Sequence, residues 1–234
     1  GPCSCCLRPV PMHREESMPT PAVPPENLAA SVAEYARLRP VMTRLHGSAA
    51  RLASKDKDAV RTCARRLQML SRRNGRQVLV FEHELEAEIF QDYLLYMYRP
   101  RGFSFIRQLA NRRRYPPDSD EQRLLVALAE ARFSLFVIRE LYPEGGFTAL
   151  DLIRGEELFL FDQSIPTQEV RGVLTGLRVF PMLGAWIHTG ANLDLGRVPE
   201  DRGLAPLGRV FGEREEREMN EYVIRSWRER MLAG

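Results

Sequence analysis

Lysine is nearly missing from this 234-residue chain: of 34 basic residues two are lysines, Lys55 and Lys57, and the rest are arginines. A GC-rich genome produces that bias without selection. Selection for bidentate recognition of phosphate or carboxylate produces it too. The distribution of the arginines, not their number, has to separate the two. Long apolar runs are also lacking. None approaches the roughly 18 residues that a membrane-spanning helix needs. The opening stretch GPCSCCLRPVPMHREESM is interrupted by Pro, Arg and Glu and so lacks the apolar core of a secretory signal. The expectation is a cytoplasmic protein. Cysteine is scarce: Cys3, Cys5 and Cys6 crowd together and Cys63 stands alone in an apolar helical pattern. No disulfide framework is expected from that usage.

Catalytic signatures are missing as well. There is no Gly-x-Ser-x-Gly elbow, no Gly-x-x-x-x-Gly-Lys phosphate loop and no Gly-x-Gly-x-x-Gly after a strand. Among the four histidines, His83 sits in FEHELEAEIF, but a di-iron bundle needs Glu-x-x-His twice, and Ala87 breaks the His-Glu-x-x-His zinc pattern. That segment reads as an exposed acidic helix face. His188, in AWIHTG, reads as structural.

What is present divides the chain by pattern. Residues 1–25 form a flexible Pro-rich tail. Residues 26–143 read as helical: one helix up to Pro40, a second after it, and a third through Val60, Cys63, Leu67 and Leu70 that Asn74-Gly75 closes. A fourth carries Leu85, Ile89, Tyr93 and Met97. A short one follows, and then a capped, nearly all-apolar helix covers EQRLLVALAEARFSLFVIREL, with Ser119 and Gln122 as its capping box. Residues 145–196 switch to period two, with tight turns at Arg154-Gly155 and around Met182-Gly184. A linker, 197–212, leads to an amphipathic C-terminal helix, 213–234, whose stripe of Met219, Tyr222, Val223, Trp227 and Met231 docks on the protein's own core or on a partner. The predicted class is α+β: a helical N-terminal portion packed on a small antiparallel sheet or partial barrel, with a C-terminal docking helix.

Residues 61–76 contain Arg61, Arg65, Arg66, Arg72, Arg73 and Arg76 without an acid, and 99–114 contain Arg99, Arg101, Arg107, Arg112, Arg113 and Arg114, also without an acid, ending at Tyr115. On a helical wheel Arg61, Arg65 and Arg72 share a face. These runs predict contact with RNA, DNA or an acidic protein surface, because arginines beside a tyrosine suit phosphate contact and base stacking. The plainer alternative is a solvated face answering the acidic stretches at 82–92 and 213–221. Asp151, Glu156, Glu157 and Asp162 around the 151–162 hairpin define a second reading, a metal-dependent enzyme. A third is an assembly partner docking through Tyr222 and Trp227. Cys3, Cys5, Cys6 and His13 supply four ligands of the kind zinc takes, although adjacent cysteines suit one ion poorly.

The segments FQDYLLYMYRPRGFSFIRQLANRR, FSLFVIREL, FTALDLIRGEELFLFDQSI and GVLTGLRVFPMLGAWIHTGANL resemble a group of poorly characterised bacterial proteins over residues 90–195. In that group an aspartate-aromatic stretch, here Asp92-Tyr93, precedes a helix. A strand pair Asp-Leu-x-x-Gly-Glu, here Asp151 to Glu156, follows, and a second pair begins near Gly176 and Arg178. Many members carry a terminal zinc-chelating module similar to the one ending the SecA translocase. Here Cys6 follows Cys5 at once, so the spacing departs from that module and puts zinc in doubt. The resemblance implies a cytoplasmic accessory protein without an assigned reaction, in which the hairpin is a scaffold feature.

Overall fold

The computed structural model describes residues 22–199 and 203–234. Helix α1 (Leu28–Ala53) is capped by Asn27, whose side chain accepts from the Ala30 amide. The expected break at Pro40 does not occur. Proline there forfeits one backbone hydrogen bond, but Tyr35, Leu38, Val41, Met42 and Leu45 form a buried stripe across it. Packing outweighs the local defect.

Asp56 caps α2 (Lys57–Arg66) by accepting from the Asp58 and Ala59 amides. Cys63 is fully buried there, and burial pushes its thiol up to about 12. The helix expected to reach Leu70 stops at Arg66, and Gln68 turns left-handed at φ 58°. The chain then forms an antiparallel hairpin, β1 (Leu70–Arg73) and β2 (Arg76–Leu79). Asn74 and Gly75, at φ 50° and 73°, are its two central residues, as a type I′ turn requires. Asn-Gly ends helices and starts hairpins with equal readiness, so the sequence signal was sound but assigned to the wrong element.

Helix α3 (Leu85–Met97) buries Ile89, Tyr93 and Met97 of the predicted stripe but leaves Leu85 exposed, and a turn at Pro100–Gly102 separates it from α4 (Phe105–Asn111). Ser119 caps α5 (Asp120–Ala129), accepting from the Gln122 amide at 3.2 Å. Gln122 does not close the expected box; its side-chain amide donates to the Ala110 carbonyl.

The largest departure from expectation follows. The long apolar helix ends at Ala129, and RFSLFVIRELY becomes strand β3 (Arg132–Tyr142). From Phe133 to Ile138 this strand is buried on both faces and, Ser134 apart, apolar, as a buried helix is, and periodicity alone does not distinguish them. β3 pairs antiparallel with β4 (Gly146–Asp151), and β4 with β5 (Glu157–Phe161). β5 runs parallel to β7 (Ala185–His188), which pairs with β6 (Val173–Met182), and β6 returns to β3. The ring is closed, so the expected partial barrel is a complete five-stranded one. β8 (Leu193–Arg197) adds to the first half of the β6 edge that β7 occupies farther on.

Side chains alternate around the ring. Phe136, Ile138, Phe147, Leu158, Leu160 and Leu177 cluster within it, while Phe133, Phe159, Phe161, Phe180 and Ile187 join the helical core. Tyr35 of α1 stacks on Phe161 at 5.6 Å. Helix α6 (Glu213–Ala233) closes the assembly against β3, β8 and α3. It buries Asn220, Val223, Ile224 and Trp227. Gly176 lets it sit close: a Cβ there would fall 2.7 Å from the Phe133 ring and 3.0 Å from Val223. Trp227 docks on the protein's own core, but Tyr222, expected on the same stripe, is 66% exposed. The wheel was turned by about one residue, because Asn220, a polar side chain, holds a buried position. The protein is α+β, and no helix among the described residues is long and apolar enough to cross a membrane.

Truncating Trp227 to Ala is expected to cost about 3–5 kcal/mol, the usual range for a buried Trp. Denaturant unfolding measures it. An unchanged midpoint would contradict the docking role.

Candidate nucleic-acid interface

In the 145–165 hairpin, Asp151 and Asp162 are held by hydrogen bonds within the fold. Asp151 Oδ1 accepts from Ser134 Oγ at 2.6 Å and from the amides of Ile153 and Arg154 at 2.9 and 3.1 Å. Its other oxygen pairs with Arg132, whose guanidinium lies over the Trp186 ring at 5.2 Å. Four donors saturate that carboxylate. Asp162 Oδ1 accepts from the Ser164 and Ile165 amides, and its Oδ2 accepts from His188 Nε2 at 2.6 Å. His188 Nδ1 accepts from the Gly190 amide, so both ring nitrogens are occupied. Asp151 ends β4 and Asp162 follows β5, a strand length of roughly 16 Å apart. Glu156 reaches only Arg132, at 3.3 Å. Among the described residues no three His, Cys, Asp or Glu gather as a metal site. The hairpin acids hold turns and strand ends in place.

The acidic helix is also employed internally. Glu82, Glu84 and Glu88 are exposed as expected, but Glu86 is buried and pairs with Arg228 at 2.8 Å. His83 caps α3 through Nδ1 and meets the Trp227 ring edge-on at 6.0 Å. His46 lies half-buried against Tyr96, 2.7 Å from its hydroxyl, and burial lowers its imidazole below the ordinary value. Cys3, Cys5, Cys6 and His13 lie outside the described residues.

The arginine runs are placed differently. Arg61 and Arg65 stand exposed on α2, one turn apart. Arg72 does not share their face, because it belongs to β1. Residues 71–77, which include Arg72, Arg73 and Arg76, are all exposed, so the β1–β2 hairpin projects as an arm. Arg73 pairs directly across it with Arg76. Like charges directly opposite on a ribbon, or one turn apart on a helix, destabilise it. The root of the arm is fixed by α6. Arg225 donates to the Arg66 carbonyl, and Arg228 donates to those of Leu67 and Gln68, satisfying acceptors that a helix end leaves open.

In the second run Arg99 pairs with Glu213 and Arg107 with Glu130. Arg101, Arg112, Arg113 and Arg114 are exposed, and Tyr115 is half-buried beside them. Among the described residues, none of Arg61, Arg65, Arg72, Arg73 or these four makes an ion pair. Of the acids that would have answered them, Asp92 and Glu216 pair with Arg178, Glu215 with Arg209, Glu218 with Arg214 and Glu221 with Arg217, while Glu82, Glu84 and Glu88 are exposed and make no ion pair among the described residues. Of both runs, the acidic stretches at 82–92 and 213–221 answer Arg99 alone.

The fold adds cations that the runs did not include. A cleft of about 230 Å³ between α1 and the α4–α5 loop is lined by Arg51, Lys55, Arg112, Arg114 and Tyr115. A depression of about 580 Å³ meets it at Leu52 and Lys55 and brings in Lys57, Arg101 and Phe103. Sequence reasoning missed Arg51, Lys55 and Lys57 as members because no local spacing links them to residues 101–115, and Phe103 because a lone phenylalanine beside an arginine reads as core.

These features define a class: an α+β protein in which a helical layer covers a small closed barrel and presents uncompensated arginines on an arm and a cleft. The chain belongs to the family of unknown function DUF7986, whose model matches residues 29–194, more than half of the chain. No curated protein and no solved structure matches it.

One consequence of the Asp162 pair is measurable. Burial alone would raise its carboxyl, but the His188 hydrogen bond and charge, with the Ile165 and Ser164 amides, hold it below the usual carboxylate range. A depressed carboxylate contributes stability above its unfolded pKa and loses it as pH falls through the folded one. Asp162→Ala is therefore expected to cost about 1–3 kcal/mol at pH 7, the price of unsatisfied buried donors. The difference from the parent should narrow in acid. Unfolding curves at pH 7 and pH 3 test this, and an equal difference at both would refute it.

Proposed function

We propose that the protein is a non-catalytic nucleic-acid-binding protein of the bacterial cytoplasm, working through the β1–β2 arm, the exposed face of α2 and the basic surface around residues 101–115. The observation that supports this reading is the missing compensation. The chain carries nearly equal numbers of acids and bases, yet acids that form ion pairs do so with arginines such as Arg178, Arg209, Arg214, Arg217 and Arg228, and among the described residues none pairs with an arginine of the arm or with Arg51, Arg101, Arg112 or Arg114. An unrelieved Arg73–Arg76 opposition costs stability in the free protein. Phosphates placed along the arm would relieve it. Arginine suits that role better than lysine, because its planar fork matches phosphate oxygens in pairs.

Neutralised phosphates release counterions, so affinity should fall steeply with salt, with a log–log slope of about −0.7 to −0.9 per phosphate. Replacing Arg112, Arg113 and Arg114 with Gln is expected to flatten that slope by roughly two to three units, and the same change at Arg72, Arg73 and Arg76 should do likewise. All six side chains are exposed, so thermal unfolding should move little. Titrations of labelled mixed-sequence RNA and DNA over a range of salt give the answer. No parental binding at low salt, or variants with the parental slope, would reject the function. Binding to an acidic protein with none to nucleic acid would point to the other expected partner.

A further inference from the structure

The cleft and the depression beside it differ from the arm in one respect: they combine cations with aromatic side chains. Phe103 is 48% exposed, and it lines the depression with Leu52, Phe105, Lys55, Lys57 and Arg101. Tyr115 lines the adjoining cleft with Arg51, Arg112 and Arg114. The two hollows share Leu52 and Lys55 and so lie side by side between the α2 N-terminus and the α4–α5 loop, and together they are termed the trough. Its only acid is Asp56, whose Oδ1 is taken up by the Asp58 and Ala59 amides. Both lysines of the chain stand on it.

Two of the five non-glycine residues with left-handed backbone among the described residues fall in or beside this region. Arg101 and Arg113 adopt left-handed conformations, at φ 60° and 48°. Such conformations cost free energy in a non-glycine residue and persist where the surroundings enforce them. Each turns the chain sharply and leaves an arginine outward next to an aromatic residue, Arg101 near Phe103 and Arg113 near Tyr115.

We infer that this trough is a binding site for single-stranded nucleic acid, with bases stacked on Phe103 and Tyr115 and the backbone held by Arg51, Lys55, Lys57, Arg101, Arg112 and Arg114. The inference rests on the proposed nucleic-acid function and narrows it. A duplex keeps its bases stacked on one another and offers only phosphates and groove edges. A single strand offers base faces that aromatic side chains can take, in a groove whose cations track the backbone. A trough built solely for phosphates would have no use for an exposed phenylalanine.

The test uses the full chain and fluorescence anisotropy with four probes: a 12-nucleotide uridine RNA, the same length of oligothymidine, a mixed-sequence 12-base-pair duplex, and heparin. The single strands are expected to bind at least tenfold more tightly than the duplex at moderate salt. Phe103→Ala is expected to weaken single-strand binding about tenfold, as loss of one stacked base does, while leaving duplex and heparin binding unchanged. Lys55→Gln with Lys57→Gln should weaken all four through charge. Since Phe103 is exposed, the variant should keep the parental melting temperature. Duplex binding equal to single-strand binding would overturn the inference and leave the broader function standing. So would a Phe103→Ala variant indistinguishable from the parent. Absence of binding to every nucleic-acid probe would remove both.

Discussion

A fully buried guanidinium organises this protein. Arg178 projects from β6 with no solvent exposure and bonds Asp92 of α3 at 3.0 Å and Asn220 of α6 at 2.5 Å, with Glu216 at 3.7 Å. Its flat faces lie against Tyr96 at 4.9 Å and Phe133 at 5.5 Å. Removing an ion from water costs several kcal/mol even after relaxation. That cost is offset only when barrel, α3 and α6 are all in place to supply partners. Thr189 Oγ1 donates to the second Asp92 oxygen and ties the end of β7 into the same network. Apolar packing would tolerate a slide between helix and barrel. The Arg178 network does not, and so it sets their registration.

The same logic explains where the acids went. A chain with little excess charge can leave an arm and a cleft strongly basic only by placing its carboxylates elsewhere. Asp92, Glu86, Asp151 and Asp162 are buried or nearly so, each holding a turn, a strand end or another element's arginine. Three further glutamates pair along α6 or with the segment before it. The basic surface is as much a product of carboxylate placement as of arginine placement.

Much of this could be read from the sequence, and the failures share a cause. Helix α3, the Ser119 cap, the Arg154-Gly155 turn and the Met182–Ala185 hairpin depend on local chemistry and were legible. Strand β3 was not, because its first half, FSLFVI, is apolar on both faces and its partner β6 lies some forty residues along the chain. The β1–β2 arm was hidden by an Asn-Gly that serves two kinds of turn equally well. Pro40 misled because a local penalty was weighed without the buried stripe that overrides it. Exposure of the arginine runs was legible as a charge pattern. Their gathering with Arg51, Lys57 and Phe103 was not, since it depends on how α1 and α4 meet.

The scarcity of lysine acquires a meaning once the two that exist are located. Both are exposed and both stand on the aromatic trough, while every other cationic side chain is a guanidinium. Chemistry that discriminates amines from guanidinium groups, whether enzymatic acetylation or a synthetic acylating reagent, therefore meets side-chain targets on a single surface of the molecule. It would strip charge there and leave the arm, the Arg178 network and the paired arginines of α6 as they are.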